Sequence, residues 1–214
     1  MSADPDSSGD GEVVRRVVLD TPSCRVLRDV ASYQRDFRLA RTYIDFYLEA
    51  DIEGDDRSPA PIDALWYSAV ISYSRAFQTG VRRTERPLNS IYDATQSASH
   101  DYFIGLRNRY LVHSVNGFEE VVIAAGLTAP DDPSITEIQV RMTSVSRMTR
   151  QHAGVLRALC DLQLRALSAH ENELHVTVAR EAQELGADAV YALPPLSAAQ
   201  IDHTQVMKSR FTGR

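Results

Sequence analysis

The sequence predicts a mostly α fold carrying one small β-hairpin. Apolar residues recur at steps of three and four from Val26 to Tyr47 and again from Val155 to Ala169, the period of an amphipathic helix. Between these runs Ile138, Val140 and Met142 alternate with Gln139, Arg141 and Thr143, the period of a strand. A chain of 214 residues can bury one sizeable core. The expected organisation is a tail at 1–12, a helical domain over 13–186 with its hairpin at about 118–145, and a C-terminal tail at 187–214.

Residues 1–12, rich in Ser, Gly and Asp, read as disordered. Val13 to Leu19 is a short apolar run that fits a strand or a helix. Thr21-Pro22 then starts a helix, with a capping hydroxyl followed by proline in the first turn. Val26, Val30, Tyr33, Phe37, Ala40, Ile44 and Tyr47 form its buried stripe, and Arg25, Arg28, Arg35 and Arg38 occupy the other faces. The helix runs out in the acidic segment Glu49 to Asp56. Asp45 and Glu49 share a face and have the chemistry to hold a divalent cation. A solvated acidic turn, partnered by Arg41 or Arg57, is the simpler reading.

Ser58-Pro59-Ala60-Pro61 opens a second helix with Ile62, Leu65, Trp66, Ala69, Tyr73 and Phe77 inward, closed by Gly80. A basic connector, Val81 to Pro87, follows. Asp93-x-x-Gln96 then spells a capping box for a third helix carrying His100, Phe103, Arg107, Arg109 and His113. Asn116-Gly117 marks a turn, and strands at Glu119–Leu127 and Ile135–Val145 make the hairpin. From about Ser146 to Leu185 the chain is helical again, as one bent helix or two. Val155, Leu159, Leu162, Ala166, Ala169, Val176 and Leu185 are its expected buried stripe, and Gly186 ends it. Cys24 and Cys160 are too few for a disulfide framework or a zinc cluster and read as buried thiols.

Composition and motifs exclude several function classes. No apolar run reaches membrane-span length and the N-terminus lacks a signal-peptide pattern, so a cytoplasmic protein without a membrane partner is expected. Glycine loops for phosphate, dinucleotide fingerprints and nucleophile elbows are missing. His170 and His175 are five apart rather than four, which takes the second off the face a zinc-protease helix would need, and no metal or cofactor is expected. The net charge of −6 argues against a general nucleic-acid coat. Yet from Arg75 to Arg109 six arginines (75, 82, 83, 86, 107 and 109) face three acids (Glu85, Asp93 and Asp101), a local excess suited to a phosphate backbone.

Within that basic stretch stands Arg107-Asn108-Arg109-Tyr110-Leu111-Val112-His113. Arg forks onto phosphate oxygens, and His takes and gives protons near neutral pH. Together they suit phosphodiester cleavage without a metal. On a regular helix Arg107 and His113, six apart, point roughly 120° away from each other. One copy therefore closes both on one phosphate only if the helix ends before His113; otherwise two chains share the site. Chance placement is the plainer alternative, with Arg107 paired to Asp45, Glu49 or Asp101 and His113 favouring a helix C-terminus as imidazolium.

The R-N-x4-H pattern resembles the signature of the HEPN superfamily (higher eukaryotes and prokaryotes nucleotide-binding), and the likeness extends from about Tyr43 to Glu119. The resemblance implies an antiparallel helical bundle, a homodimer pairing its motifs across the twofold, and metal-independent endoribonuclease activity in defence or toxin–antitoxin biology. Under it Arg107 binds the phosphate, His113 is the general acid or base, and Asn108 holds the histidine or the phosphate. Arg109, His100, Arg82 and Arg83 are expected substrate contacts, with RNA and a protein antitoxin or regulator as partners. The pattern departs at Val115, where many operon-paired HEPN toxins carry the tyrosine through which they are neutralised. A non-catalytic HEPN-like RNA- or nucleotide-binding module, or a dimeric scaffold, is the alternative.

Overall fold

A computed structural model describes residues 15–50, 60–78, 87, 89–111, 120–131, 133–143 and 148–196. The fold is mostly helical with one small antiparallel sheet. In chain order it comprises α1 (Pro22–Glu49), α2 (Ala60–Arg75), a 3₁₀ turn (Asn89–Ile91), α3 (Ala94–Leu106), a π-helical turn (Arg107–Leu111), β1 (Glu120–Leu127), β2 (Ile135–Thr143), α4 (Arg150–Leu185) and α5 (Ala187–Tyr191). The chain divides into two compact units, one formed by Met1–Leu27 with Glu173–Arg214 and the other by Arg28–Asn172.

In the larger unit α1 and α4 run antiparallel, because polar partners tie them in reverse order. Arg150 at the start of α4 donates to the Leu48 and Ala50 carbonyls at 2.8 and 3.2 Å. It thereby satisfies acceptors that the end of α1 would otherwise leave open. Further along, Arg157 pairs with Asp45 at 2.6 Å, Arg41 with Asp161 at 3.3 Å, and the Gln34 amide donates to Glu171 at 2.8 Å. Asp45 thus has Arg41 as the expected partner, at 3.7 Å, and Arg157 as a second. The Tyr47 hydroxyl donates to the Met148 carbonyl.

The α1 stripe packs as its period dictates: Val30, Tyr33, Phe37, Ala40, Ile44 and Tyr47 are buried, and Val26 is half-buried. Phe37 meets Tyr73 and Phe77 edge-on, at 5.7 and 5.6 Å between ring centroids, joining α1 to α2. Helix α2 ends at Arg75, short of Gly80, which lies outside the described residues. Arg75 reaches back to the buried Asp36 carboxylate at 3.5 Å, a pairing that favours its placement at the helix end. The Asp93 capping box is present in both directions, Gln96 N–H to Asp93 at 2.8 Å and Asp93 N–H to the Gln96 side chain at 3.0 Å.

The last long segment is one helix, α4, and its phase differs from the hydrophobic reading. Ala153, Leu156, Cys160, Gln163, Leu167 and Leu174 are buried beside Leu159, whereas Ala169, Val176 and Leu185 are exposed. The reason is Gln163, fully buried because its amide donates to the Tyr92 hydroxyl at 2.9 Å. A partnered polar residue inside rotates the helix by about one position from the phase that apolarity alone selects.

The smaller unit holds more order than an exposed tail would. Val17 bridges Pro195, Val18 N–H donates to the Pro194 carbonyl and Leu196 N–H to the Arg16 carbonyl, both at 2.9 Å. Thr21 and Ser23 hydroxyls donate to the Glu181 carboxylate and hold its pKa below the ordinary carboxylate value. The short helix α5 follows Gly186, whose φ of 82° is the backbone conformation glycine adopts without strain.

Candidate functional site

The motif begins where α3 changes its winding. The Arg107 N–H donates to both the Phe103 and Ile104 carbonyls, and from Arg107 to Leu111 the chain is π-helical. Single wide turns of this kind are frequent at functional positions. Aromatic residues of α2 brace the turn. Tyr110 stacks on Trp66 at 6.3 Å with ring planes 9° apart, and the Tyr110 and Tyr67 hydroxyls lie 3.4 Å apart. The Trp66 indole N–H is buried with no hydrogen-bond partner among the described residues.

Arg107 is half-buried and donates from Nη1 to the Asn108 side-chain oxygen at 2.8 Å. Among the described residues no carboxylate pairs with it, so Asp45, Glu49 and Asp101 are not its partners. Asp45 is engaged by Arg157 and Arg41 instead. Arg109 is exposed on the next stretch of the turn. His113, Arg82 and Arg83 lie outside the described residues.

His100 is buried seven residues before the motif's arginine, 6% exposed, at the end of a polar chain through the core. Its Nδ1 lies 2.9 Å from the Tyr73 hydroxyl, which is 3.1 Å from the Tyr92 hydroxyl, which in turn accepts from Gln163. Burial lowers the His100 pKa from 6.5, opposed by the charge of Asp101. Burial also pushes the Tyr73 phenol far above its ordinary value and the Tyr92 phenol up to about 12. Both phenols therefore keep their protons, and the Gln163 amide donates into the Tyr92–Tyr73–His100 chain. The chain ties α2, α3 and α4 together behind the motif.

One arrangement was not legible in the sequence. His152, at the start of α4, stacks on Tyr102 of α3 at 5.3 Å with ring planes 19° apart, and its Nδ1 lies 2.8 Å from the Thr149 hydroxyl. The pair borders an open groove of about 360 Å³ lined also by Thr95, Ser99 and Gln151. Tyr102 is 45% exposed, an aromatic on the outer side of α3 five residues before Arg107. Its exposure was the available signal, since a helix phased on Phe103 and His100 leaves Tyr102 outside.

Among the described residues there is no group of three or more His, Cys, Asp or Glu placed to hold a metal ion, and no helix long and apolar enough to cross a membrane. No family model, curated protein or solved structure matches the chain.

Proposed function

We propose that this chain is a metal-independent endoribonuclease of the HEPN type, acting on RNA in defence or toxin–antitoxin biology. The observation that carries the reading is Arg107, a half-buried guanidinium held by Asn108 and paired with no carboxylate among the described residues. A salt-bridged arginine would have to give up its acid before gripping a phosphate. This one keeps N–H donors available and is already oriented by its neighbour. The wide turn and its aromatic brace add support, because they fix the backbone at the position where the chemistry requires it.

In this reading Arg107 binds the scissile phosphate and stabilises charge gathering on its oxygens. His113, as general base, takes the proton of the ribose 2′-hydroxyl while that oxygen attacks phosphorus; as general acid it protonates the departing 5′-oxygen. The P–O5′ bond breaks, leaving a 2′,3′-cyclic phosphate and a 5′-hydroxyl. DNA, lacking the 2′-hydroxyl, is refractory. Arg109, Arg82 and Arg83 track the RNA backbone, the Tyr102–His152 pair offers an aromatic surface on which a base stacks, and buried His100 steadies the motif from behind. Two copies pair their motifs, which lets Arg107 and His113 from different chains meet on one phosphate. A protein regulator of this activity acts by a route other than tyrosine modification at position 115, which is Val115.

A second reading, a dimeric scaffold without catalysis, is favoured by the exposed apolar side of the hairpin. RNA cleavage in EDTA separates the two. The enzyme yields cyclic-phosphate ends, and both Arg107→Ala and His113→Ala lose at least 100-fold in rate while keeping wild-type helical circular dichroism. Intact RNA with the wild-type protein, or undiminished cleavage by the variants, overturns the nuclease reading.

A further inference from the structure

The hairpin is an amphipathic ribbon whose apolar side is uncovered. In its register Ile123 lies opposite Val140 and Ala125 opposite Ile138, and past an irregularity at Gly126/Leu127, Leu127 pairs with Ile135. Cross-strand partners share a face. One face therefore gathers Val121, Ile123, Leu127, Ile135, Ile138 and Val140, all 57–68% exposed. The opposite face carries Glu137, Gln139 and Arg141, with Gln139 donating to Glu137 at 2.7 Å. Two isolated strands rarely hold together in water, and a ribbon with one bare aliphatic face needs something against it.

We propose that this face docks against the same face of a second copy of the chain. Area is the first argument. At these exposures six aliphatic side chains leave roughly 600 Å² of apolar surface open. That approaches the ~800 Å² each partner contributes to a standard specific interface. Charge is the second. The face carries no ionisable group, so two copies meet without burying a charge, and the ribbon's Glu137 and Arg141 stay on the solvent side. A nucleic acid or an anionic lipid surface would require cations that this face lacks.

Symmetry is the third argument. A twofold axis through the middle of an antiparallel ribbon sets equivalent rows of side chains against each other at the usual sheet-packing distance of ~10 Å. The strand Val121 to Leu127, with neither charge nor proline, is the kind of edge that associates unless a partner shields it. None of this depends on the nuclease reading.

Light scattering on the full chain, eluting at tens of micromolar, tests the proposal. The wild type is expected at no less than twice its 23.8 kDa. The Ile123→Asp/Ile138→Asp variant is expected at half the wild-type mass, and Val122→Asp, on the opposite face, at the wild-type mass. A wild type that elutes as a monomer, or a double variant that keeps the wild-type mass, overturns the proposal. Because the aspartates could melt the ribbon, a second measurement introduces no charge. In a Cys24→Ser background, a short bis-maleimide is expected to cross-link Ile123→Cys into covalent dimers several-fold more than Val122→Cys, and equal yields overturn the proposal. RNA cleavage is not read in either experiment, so loss of the nuclease reading leaves this result standing, and the converse holds.

Discussion

Replacing Tyr73 by phenylalanine removes one oxygen and leaves every carbon in place. That oxygen lies 2.9 Å from His100 Nδ1 and 3.1 Å from the Tyr92 hydroxyl, inside a fully buried cluster. Each hydrogen bond between neutral groups contributes about 1 kcal/mol net, and buried polar groups left without a partner cost a further ~1–3 kcal/mol. Tyr92 keeps its bond from Gln163, but its hydroxyl and the His100 ring nitrogen each lose the Tyr73 oxygen. The expected loss is about 3–5 kcal/mol, which lowers the urea midpoint by roughly 1–2 M at the slopes usual for small proteins. Urea unfolding followed by circular dichroism measures it, with Tyr102→Phe, at an exposed ring, as a control expected within ~0.5 kcal/mol of wild type. Tyr73→Phe and Tyr92→Phe should also be non-additive, since they share a bond. A Tyr73→Phe protein within ~0.5 kcal/mol of wild type would refute the polar chain as a source of stability, leaving Tyr73 as an aromatic filler.

His100 gives the same network a pH dependence. Its folded pKa is lowered by burial, so below about 6.5 the unfolded chain binds the proton more readily than the folded one. Its contribution is complete above that pH and is lost as pH falls through it toward the lower folded value. Between pH 7.5 and 5 the wild type should therefore lose more stability than His100→Gln, and equal losses count against this account. Asp93→Ala should cost about 1 kcal/mol by removing the capping box, read from the same unfolding curves, and no change would mean the box is incidental. The Cys160 thiol, buried and with its pKa pushed well up, should resist a thiol reagent that labels half-buried Cys24 in the native protein. Equal labelling of both would contradict the packing of α4.

The elements legible in the sequence were those whose signal is local. The Thr21-Pro22 start, the Asp93–Gln96 box and the alternation from Ile138 to Val140 each need only a few neighbouring residues to specify geometry, and α1, α3 and β2 lie where those signals place them. The end of α2 and the phase of α4 depend on partners far along the chain. Arg75 pairs with Asp36 of α1, and Gln163 bonds Tyr92, 71 residues away. Hydropathy assigns glutamine to the outside; a distant phenol brings it in.

The candidate site divides along the same line. Arg107, Asn108 and Arg109 could be singled out because their types and spacing carry chemistry, but the π winding beneath them could not. It rests on α2 aromatics, Trp66 and Tyr67, packing against Tyr110. That winding bears on the geometry of the motif. The ~120° separation between Arg107 and His113 assumes 3.6 residues per turn throughout, whereas a wider turn advances each residue by less. Five residues wound more widely carry the chain's direction away from the value a regular helix would set. Tyr110→Ala, which removes the aromatic brace but no group that touches RNA in the proposed reaction, should therefore reduce the cleavage rate with little change in RNA affinity. An unaltered rate would show that the braced turn is architecture alone, and a proportional loss of affinity would make Tyr110 a substrate contact instead.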